Sequence, residues 1–127
     1  MARVLVVDDE DAVRDMLRRM LEARGHEVAL ASDRPSAVAG YLRHRPDVVL
    51  LDLLMPEVDG LAVLAELRRV DPAARVVMLS SLREEAKVAR AIELGARDYI
   101  VKPVLFRQLQ ECVERLASQP TDPSASS

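Results

Sequence analysis

The sequence has little cysteine, little lysine and no long apolar run. Cys112 is the only cysteine among 127 residues, so an internal disulfide is excluded and a reducing cytosol is expected. No apolar stretch approaches the roughly eighteen residues that a membrane span needs. The net charge of −3 gives no bulk attraction to nucleic acid or anionic lipid. Because the first residues lead directly into a strand pattern, we expect no signal peptide and a cytoplasmic protein.

What is present is a regular alternation of strand and helix patterns. The length fits one domain with a real core, and 50% hydrophobic with 31% charged residues is ordinary globular usage. Strands are predicted at residues 3–7, 27–31, 47–51, 75–79 and 98–101. Such alternation predicts a parallel sheet with helices on both faces. The second strand is partly polar and is placed at an edge, whereas the third is the most apolar and is placed centrally.

Helices are predicted between these strands from apolar spacing and end signals. They cover residues 11–24, 34–44, 61–70 and 81–94, and a last helix after Pro103 carries Leu105, Phe106, Leu109, Val113 and Leu116. Gly25 and Gly95 stand where C-terminal caps belong, and residues 81–84 form a capping box. We expect one domain at residues 1–118, followed by a Pro- and Ser-rich tail or linker at 119–127.

A reactive side chain follows four of the predicted strands. Asp8 and Asp9 follow the first, Asp52 the third, Ser80 the fourth and Lys102 the fifth. In an open α/β sheet, ligands bind outside the carboxyl ends of the strands. Two carboxylates about 4 Å apart repel by roughly 4 kcal/mol at an effective dielectric of about 20, so three would raise one another's pKa or recruit a cation. Oxygen ligands of this kind suit Mg²⁺.

Each of these residues also has an ordinary structural explanation. Acids at residues 8–11 are typical of a solvated helix N-terminus, and Ser80 is typical of a turn or cap. Lys102 is explained equally well by solvation, and Tyr99 by packing at the sheet edge. Asp52 changes the balance, because an ionised carboxylate after a buried strand needs a partner.

Four motifs in order carry a resemblance to a known family. They are VVDDE at residues 6–10, LDLLMPEVDG at 51–60, VMLSS at 77–81 and GARDYIVKP at 95–103. Over residues 2–117 the chain resembles the receiver domain of a two-component response regulator, and is similar to the single-domain chemotaxis regulators. The resemblance implies a flavodoxin-like fold with a doubly wound, five-stranded parallel sheet in the order 2-1-3-4-5.

The same resemblance implies a phosphoacceptor. Asp52 would take a phosphoryl group from a phosphohistidine on a sensor histidine kinase or a histidine phosphotransfer domain. Asp9 and Asp52 would hold Mg²⁺ directly, Asp8 would act through water, and Leu54 would offer its backbone carbonyl. Phosphoryl transfer needs mainly alignment and charge neutralisation.

The resemblance also implies a switch. Lys102 would supply positive charge, Ser80 would move toward phosphorylated Asp52, and Tyr99 would turn inward behind it. Two or three new hydrogen bonds to a charged group, at roughly 1.5–3 kcal/mol each, suffice for such a transition. The surface of the last two helices and the fifth strand would then change. Structural turns are expected at Pro56, Gly60 and Pro103.

Two further features bear on rate and partners. Leu54 and Leu82 lie where the family controls access of hydrolytic water, and their apolar side chains predict slow self-dephosphorylation. Met16 and Met20 on the first helix are explained by core packing, or by docking of the phosphodonor. A homodimer through Lys87, Arg90, Asp98, Glu111 and Arg115 is an alternative to plain solvation of these charges.

Two other interpretations compete with a phosphoacceptor. A hydrolase of the haloacid dehalogenase type also uses strand-end acids, a hydroxyl and a lysine, but needs an Asp-x-Asp pattern after the first strand, where Glu10 stands instead. A degenerate receiver that only binds is a third alternative, although every expected residue is present. The sequence contains no DNA-binding element, and it does not define the cognate kinase, the output or the oligomeric state.

Overall fold

A computed structural model describes residues 1–55, 58–81 and 85–119 of the chain. The strands are β1 (Arg3–Val7), β2 (Glu27–Ala31), β3 (Val48–Asp52), β4 (Leu54–Met55), β5 (Val58–Asp59), β6 (Val76–Ser80) and β7 (Asp98–Val101). The helices are α1 (Asp11–Glu22), α2 (Arg34–His44), α3 (Gly60–Val70), α4 (Glu85–Glu93) and α5 (Phe106–Ala117). Within the described residues, no helix has the length and apolar character to cross a membrane.

Five of the strands form one parallel sheet in the order β2-β1-β3-β6-β7. The predicted order 2-1-3-4-5 is therefore confirmed, because β6 and β7 are the fourth and fifth long strands. The partly polar β2 lies at an edge and the apolar β3 lies in the centre, as expected. An antiparallel pair, β4 with β5, was not predicted. Two-residue strands are too short to produce a recognisable period.

Both faces of the sheet are buried, which explains the continuous apolar runs of its strands. Val49 and Leu51 of β3 pack into a core with residues of α2 and α3, such as Tyr41. Val48 and Leu50 face the opposite core, which includes residues of α1 and α5. The alternation follows from the two-residue period of a strand.

The ends of the helices agree with most of the sequence signals. Asp33 caps α2 and forms a capping box with Ser36. Gly25 and Gly95 have φ values of 82° and 103°, a region that favours glycine. The capping box expected at residues 81–84 lies mostly outside the described residues. We find α1 ending at Glu22, two residues earlier than expected.

The apolar residues predicted for the last helix differ in burial. Leu109, Val113 and Leu116 are buried, whereas Leu105 and Phe106 are exposed. Leu105 is the N-cap residue and Phe106 begins α5, so both lie at the amino end of the helix. On α1, Met20 packs against the core and Met16 is exposed.

Candidate functional site

The parallel register brings the predicted residues to one edge of the sheet. Val7, the last residue of β1, is paired with Leu51, so Asp8 leaves the sheet beside Asp52. On the other side of β3, Asp52 is paired with Leu79. Lys102 continues from β7, and its backbone N–H donates to the carbonyl of Ser80 at 2.7 Å. The carboxyl ends of four neighbouring strands therefore carry the site, as expected for this class of fold.

Asp52 is a buried carboxylate that has one cationic contact among the described residues. Its side chain is 2% exposed, and the Lys102 Nζ lies 3.2 Å from its Oδ1. The backbone N–H of Leu54 donates to the same oxygen at 3.2 Å. Burial, and secondly the charge of Asp8, raise the pKa of Asp52 to about 6, and Lys102 and the Leu54 N–H act in the opposite direction. Burial therefore outweighs the ion pair.

Next to Asp52 lies a group of carboxylates with unused oxygens. Asp8 is fully buried, and its Oδ1 accepts the Glu10 N–H at 2.9 Å. Its Oδ2 has no hydrogen bond in the described part of the chain and lies 3.9 Å from the Lys102 Nζ. The Asp9 Oδ1 is likewise buried without a hydrogen-bond donor. Buried oxygens without donors fit a hard cation such as Mg²⁺.

Three carboxylates in sequence form a cluster at the start of α1. Asp8, Asp9 and Glu10 each offer an oxygen, and these atoms lie within 4.8 Å of one another. Asp52 is not in that group, although it contacts the same ammonium as Asp8. Glu10 was not predicted, because it stands at the start of α1, where an acid is ordinary.

Ser80 and Tyr99 differ in their relation to the site. The Ser80 Oγ is buried without a hydrogen bond among the described residues. The Ser80 hydroxyl can therefore donate to a ligand at the carboxyl ends of the strands. Tyr99 is 45% exposed, and its inward rotation stays a prediction. Pro56 and Leu82 lie outside the described residues. Pro103 follows a cis peptide bond with Lys102, and Leu54 is 53% exposed.

Gly60 is required by a close approach of two backbone segments. It is the first residue of α3. A Cβ at this position would lie 2.6 Å from the carbonyl oxygens of both Asp52 and Leu53, which is closer than real Cβ atoms approach oxygen. The sequence indicated a turn at Gly60, and the structure supplies a different reason for the glycine.

Arg14 was also missed in the sequence. Its guanidinium donates to the carbonyl oxygen of Asp8 at 2.6 Å and pairs with Asp11. The spacing of three residues to Asp11 could have indicated that ion pair. No sequence signal indicates the contact with the Asp8 carbonyl, because it depends on where α1 lies against β1.

Comparison with known proteins identifies the family. The response regulator receiver domain matches residues 4–114. Chemotaxis protein CheY of Bacillus subtilis is 39% identical over 114 residues, which are 89% of this chain and 95% of that protein. CheY of Thermotoga maritima is 36% identical and covers 91% and 97%. The crystal structure of the receiver domain of NtrX from Brucella abortus has a TM-score of 0.87 at 36% identity and covers 92% and 99%. The chain belongs to the response regulator receiver domain family.

The resemblance inferred from the four motifs is thus confirmed, and so is the flavodoxin-like fold. Receiver domains of two-component systems are phosphoacceptor switch domains. The family assignment removes the basis for the haloacid dehalogenase alternative. It also implies interaction with a histidine kinase or a phosphotransfer protein.

Gly60→Ala should destabilise the protein by about 1–3 kcal/mol. The added Cβ meets two backbone carbonyls, which cannot move without shifting the end of β3. Urea unfolding followed by circular dichroism measures the change in the free energy of unfolding. Gly40→Ala is the matched control, because its Cβ would meet only the Leu5 side chain, at 3.3 Å. An equal loss in both variants would contradict the argument.

Asp52 should make stability depend on pH with a defined sign. Its folded pKa of about 6 lies above the ordinary value of 3.8. Between these two pH values the folded state therefore holds a proton that the unfolded chain has released. The free energy of unfolding contributed by this group therefore falls as pH rises from about 4 to 6 and is constant above. We expect Asp52→Asn to be more stable than the parent at neutral pH by about 1–3 kcal/mol, with the advantage vanishing near pH 4.

Urea unfolding across this pH range in the presence of EDTA measures the difference between the two proteins. Asp33→Asn is a control of opposite sign, because hydrogen bonds from Ser36 lower the pKa of Asp33. The parent therefore becomes more stable relative to Asp33→Asn as pH rises. An advantage of Asp52→Asn that does not change with pH would show that the pKa of Asp52 is not raised.

Proposed function

We propose that Asp52 is the residue of this receiver domain that accepts the phosphoryl group. The supporting observation is a carboxylate 2% exposed at the end of the central strand, with the Lys102 ammonium 3.2 Å from its Oδ1. An oxygen of Asp52 attacks phosphorus, and the bond from phosphorus to the imidazole nitrogen of the donor breaks. The ammonium of Lys102 offsets charge on the phosphoryl oxygens. Beyond its own phosphorylation and dephosphorylation, we propose no enzymatic activity.

The proposed cofactor is Mg²⁺. Asp9 and Asp52 would bind it directly, Asp8 through water, and Leu54 through its backbone carbonyl. The unpartnered oxygens of Asp8 and Asp9 support this proposal, and Glu10 is close enough to join them. The ion supplies positive charge for the oxygens of the transferring group. The Arg14 guanidinium donates to the Asp8 carbonyl oxygen and so holds the backbone of Asp8 in place.

The proposed switch uses the free hydroxyl of Ser80. Its Oγ has no hydrogen bond in the described residues, so donation to a phosphoryl oxygen on Asp52 breaks no existing bond. The movement of Ser80 and the inward turn of Tyr99 would change the surface formed by α4, β7 and α5. Exposure of Tyr99 provides the starting state that this movement needs.

The proposed phosphodonor is a sensor histidine kinase or a histidine phosphotransfer domain that docks on α1. Exposure of Met16 supports this location, and methionine adapts well to partner surfaces.

A homodimer through α4, β7 and α5 is less well supported. Asp98 already pairs with Arg115 at 2.5 Å, and Glu111 with Arg107 at 3.2 Å. The domain limit at residue 118 agrees with the end of α5 at Ala117, and a cytoplasmic location stays a prediction.

Asp52→Asn should abolish labelling by acetyl phosphate in the presence of Mg²⁺, because an amide cannot form the acyl phosphate. Phosphate-affinity electrophoresis or intact-protein mass spectrometry measures the label. Asp47→Asn is the matched control, since Asp47 is exposed at the opposite end of β3, where it accepts the Arg3 N–H. Label on Asp52→Asn at the parental level would show that another residue is the acceptor.

Self-dephosphorylation should be slow, with a phosphoryl lifetime of minutes or longer at room temperature. Leu54 is exposed beside Asp52 and offers hydrolytic water no hydrogen bond. Leu54→Asn should shorten the lifetime about tenfold by orienting that water. Loss of label after removal of acetyl phosphate measures it, and Leu42→Asn, at an exposed position on α2, is the control. A parental lifetime of seconds would contradict the prediction.

A further inference from the structure

The strand β2 leaves one side of its backbone unpaired. Its Glu27 N–H donates to the Ala2 carbonyl at 2.9 Å, and its Ala31 carbonyl accepts the Asp8 N–H at 3.1 Å. Because successive residues of a strand direct their backbone groups to opposite sides, Val28 and Leu30 direct theirs away from β1. No other strand of the described sheet lies on that side. An exposed edge of this kind is a template for another strand.

A cavity of about 430 Å³ adjoins this edge. Val28 and Ala29 of β2 line one side, and Arg43 and His44 from the last turn of α2 line another. The cavity therefore lies between the outward backbone groups of β2 and basic side chains at the end of α2. It lies at the amino ends of the strands, away from Asp52.

The charges around this cavity are unbalanced. The Glu27 carboxylate lies 3.5 Å from the Arg3 Nε, so the acid of the cavity already has a cationic neighbour. Arg43 and His44 are exposed, and within the described chain their side chains have no hydrogen bond or ion pair. The end of a helix favours basic residues, which explains their presence but gives them no partner. An added ligand with negative charge would find the Arg43 guanidinium unpaired and could accept a hydrogen bond from the His44 ring.

We propose that β2 and this cavity bind an extended, acidic segment of a partner protein. The segment adds to the sheet beside β2, with backbone hydrogen bonds to Val28 and Leu30. Its carboxylates contact Arg43 and His44. Strand addition of this kind takes affinity from the backbone bonds and specificity from the side chains.

Charge and backbone chemistry argue for this occupant over two others. A second copy of the chain would present the same basic side chains, and its Glu27 carboxylate is already paired with Arg3. Nucleic acid is disfavoured, because a chain of net charge −3 has no bulk electrostatic attraction for it. The alternating N–H and C=O groups of Val28 and Leu30 match a polypeptide backbone. This inference does not depend on the role of Asp52.

The test uses the full chain and a fluorescein-labelled octapeptide that alternates Glu and Val. Fluorescence anisotropy measures binding, and a peptide that alternates Lys and Val is the charge control. We expect binding of the acidic peptide alone, weakened by salt because the contacts are charged and exposed. Hydrogen exchange followed by NMR should show slower exchange at the Val28 and Leu30 amides when the peptide is bound.

Three variants separate the contributions of charge and backbone. Arg43→Gln with His44→Gln should weaken binding about fivefold to tenfold. Arg34→Gln is the matched control at the other end of α2, and should change affinity less than about twofold. Leu30→Pro removes the outward N–H without touching the bonds to β1, and should abolish binding. Circular dichroism and labelling by acetyl phosphate check that each variant is folded.

Several results would overturn the proposal. They are equal binding of the basic peptide, peptide binding without slower exchange at Val28 and Leu30, and equal affinity in the Arg43/His44 and Arg34 variants. Inorganic phosphate that displaces the peptide completely at millimolar concentration would identify a simple anion site instead. Sedimentation showing a dimer that protects Val28 and Leu30 without peptide would identify a second copy as the occupant.

Discussion

The contact between the Lys102 ammonium and the buried Asp52 carboxylate is the interaction on which the site depends. Because both faces of β3 are covered, the residue that ends this strand is withdrawn from water, and its charge needs compensation. Lys102 provides it from β7, two strands away. Compensation is incomplete, since burial still raises the pKa of Asp52. A buried carboxylate whose charge is only partly compensated favours the binding of a further cation. The unpartnered oxygens of Asp8 and Asp9 favour the binding of that cation as well.

The geometry of this contact is a product of the strand order. With β1 and β6 on the two sides of β3 and β7 next to β6, the acids and the Ser80 hydroxyl lie beside Asp52, and the longer lysine side chain comes from farther away. The backbone of Asp52 is also closely packed, because Gly60 brings the start of α3 against the Asp52 carbonyl. A displacement of either element would therefore move the carboxylate relative to the ammonium.

The sequence was sufficient for the parts of the fold that follow from burial. Strands covered on both faces must be continuously apolar, so their positions, and those of the reactive residues after them, could be predicted. The pair β4 and β5 could not, because two residues define no period. Which apolar residues of the last helix are buried could not be predicted either, since Leu105 and Phe106 are exposed although Leu109 and Val113 of the same helix are buried. The contacts of Glu10 and Arg14 depend on how α1 lies against β1, and no local pattern contains that information.

The two ends of the sheet carry opposite chemistry, and their separation decides how they can communicate. Within the described residues, unpartnered acidic oxygens lie at the carboxyl ends of the strands, and the basic side chains of Arg43 and His44 lie at the amino ends. A strand of five residues is about 17 Å long, which is about twice the Debye length at physiological ionic strength. Direct charge coupling between the ends is therefore small. Any effect of one end on the other would pass through the packing of the strands, for example β1, which connects Arg3 at the cavity to Asp8 at the acidic site, and a rigid sheet would leave the two binding events independent.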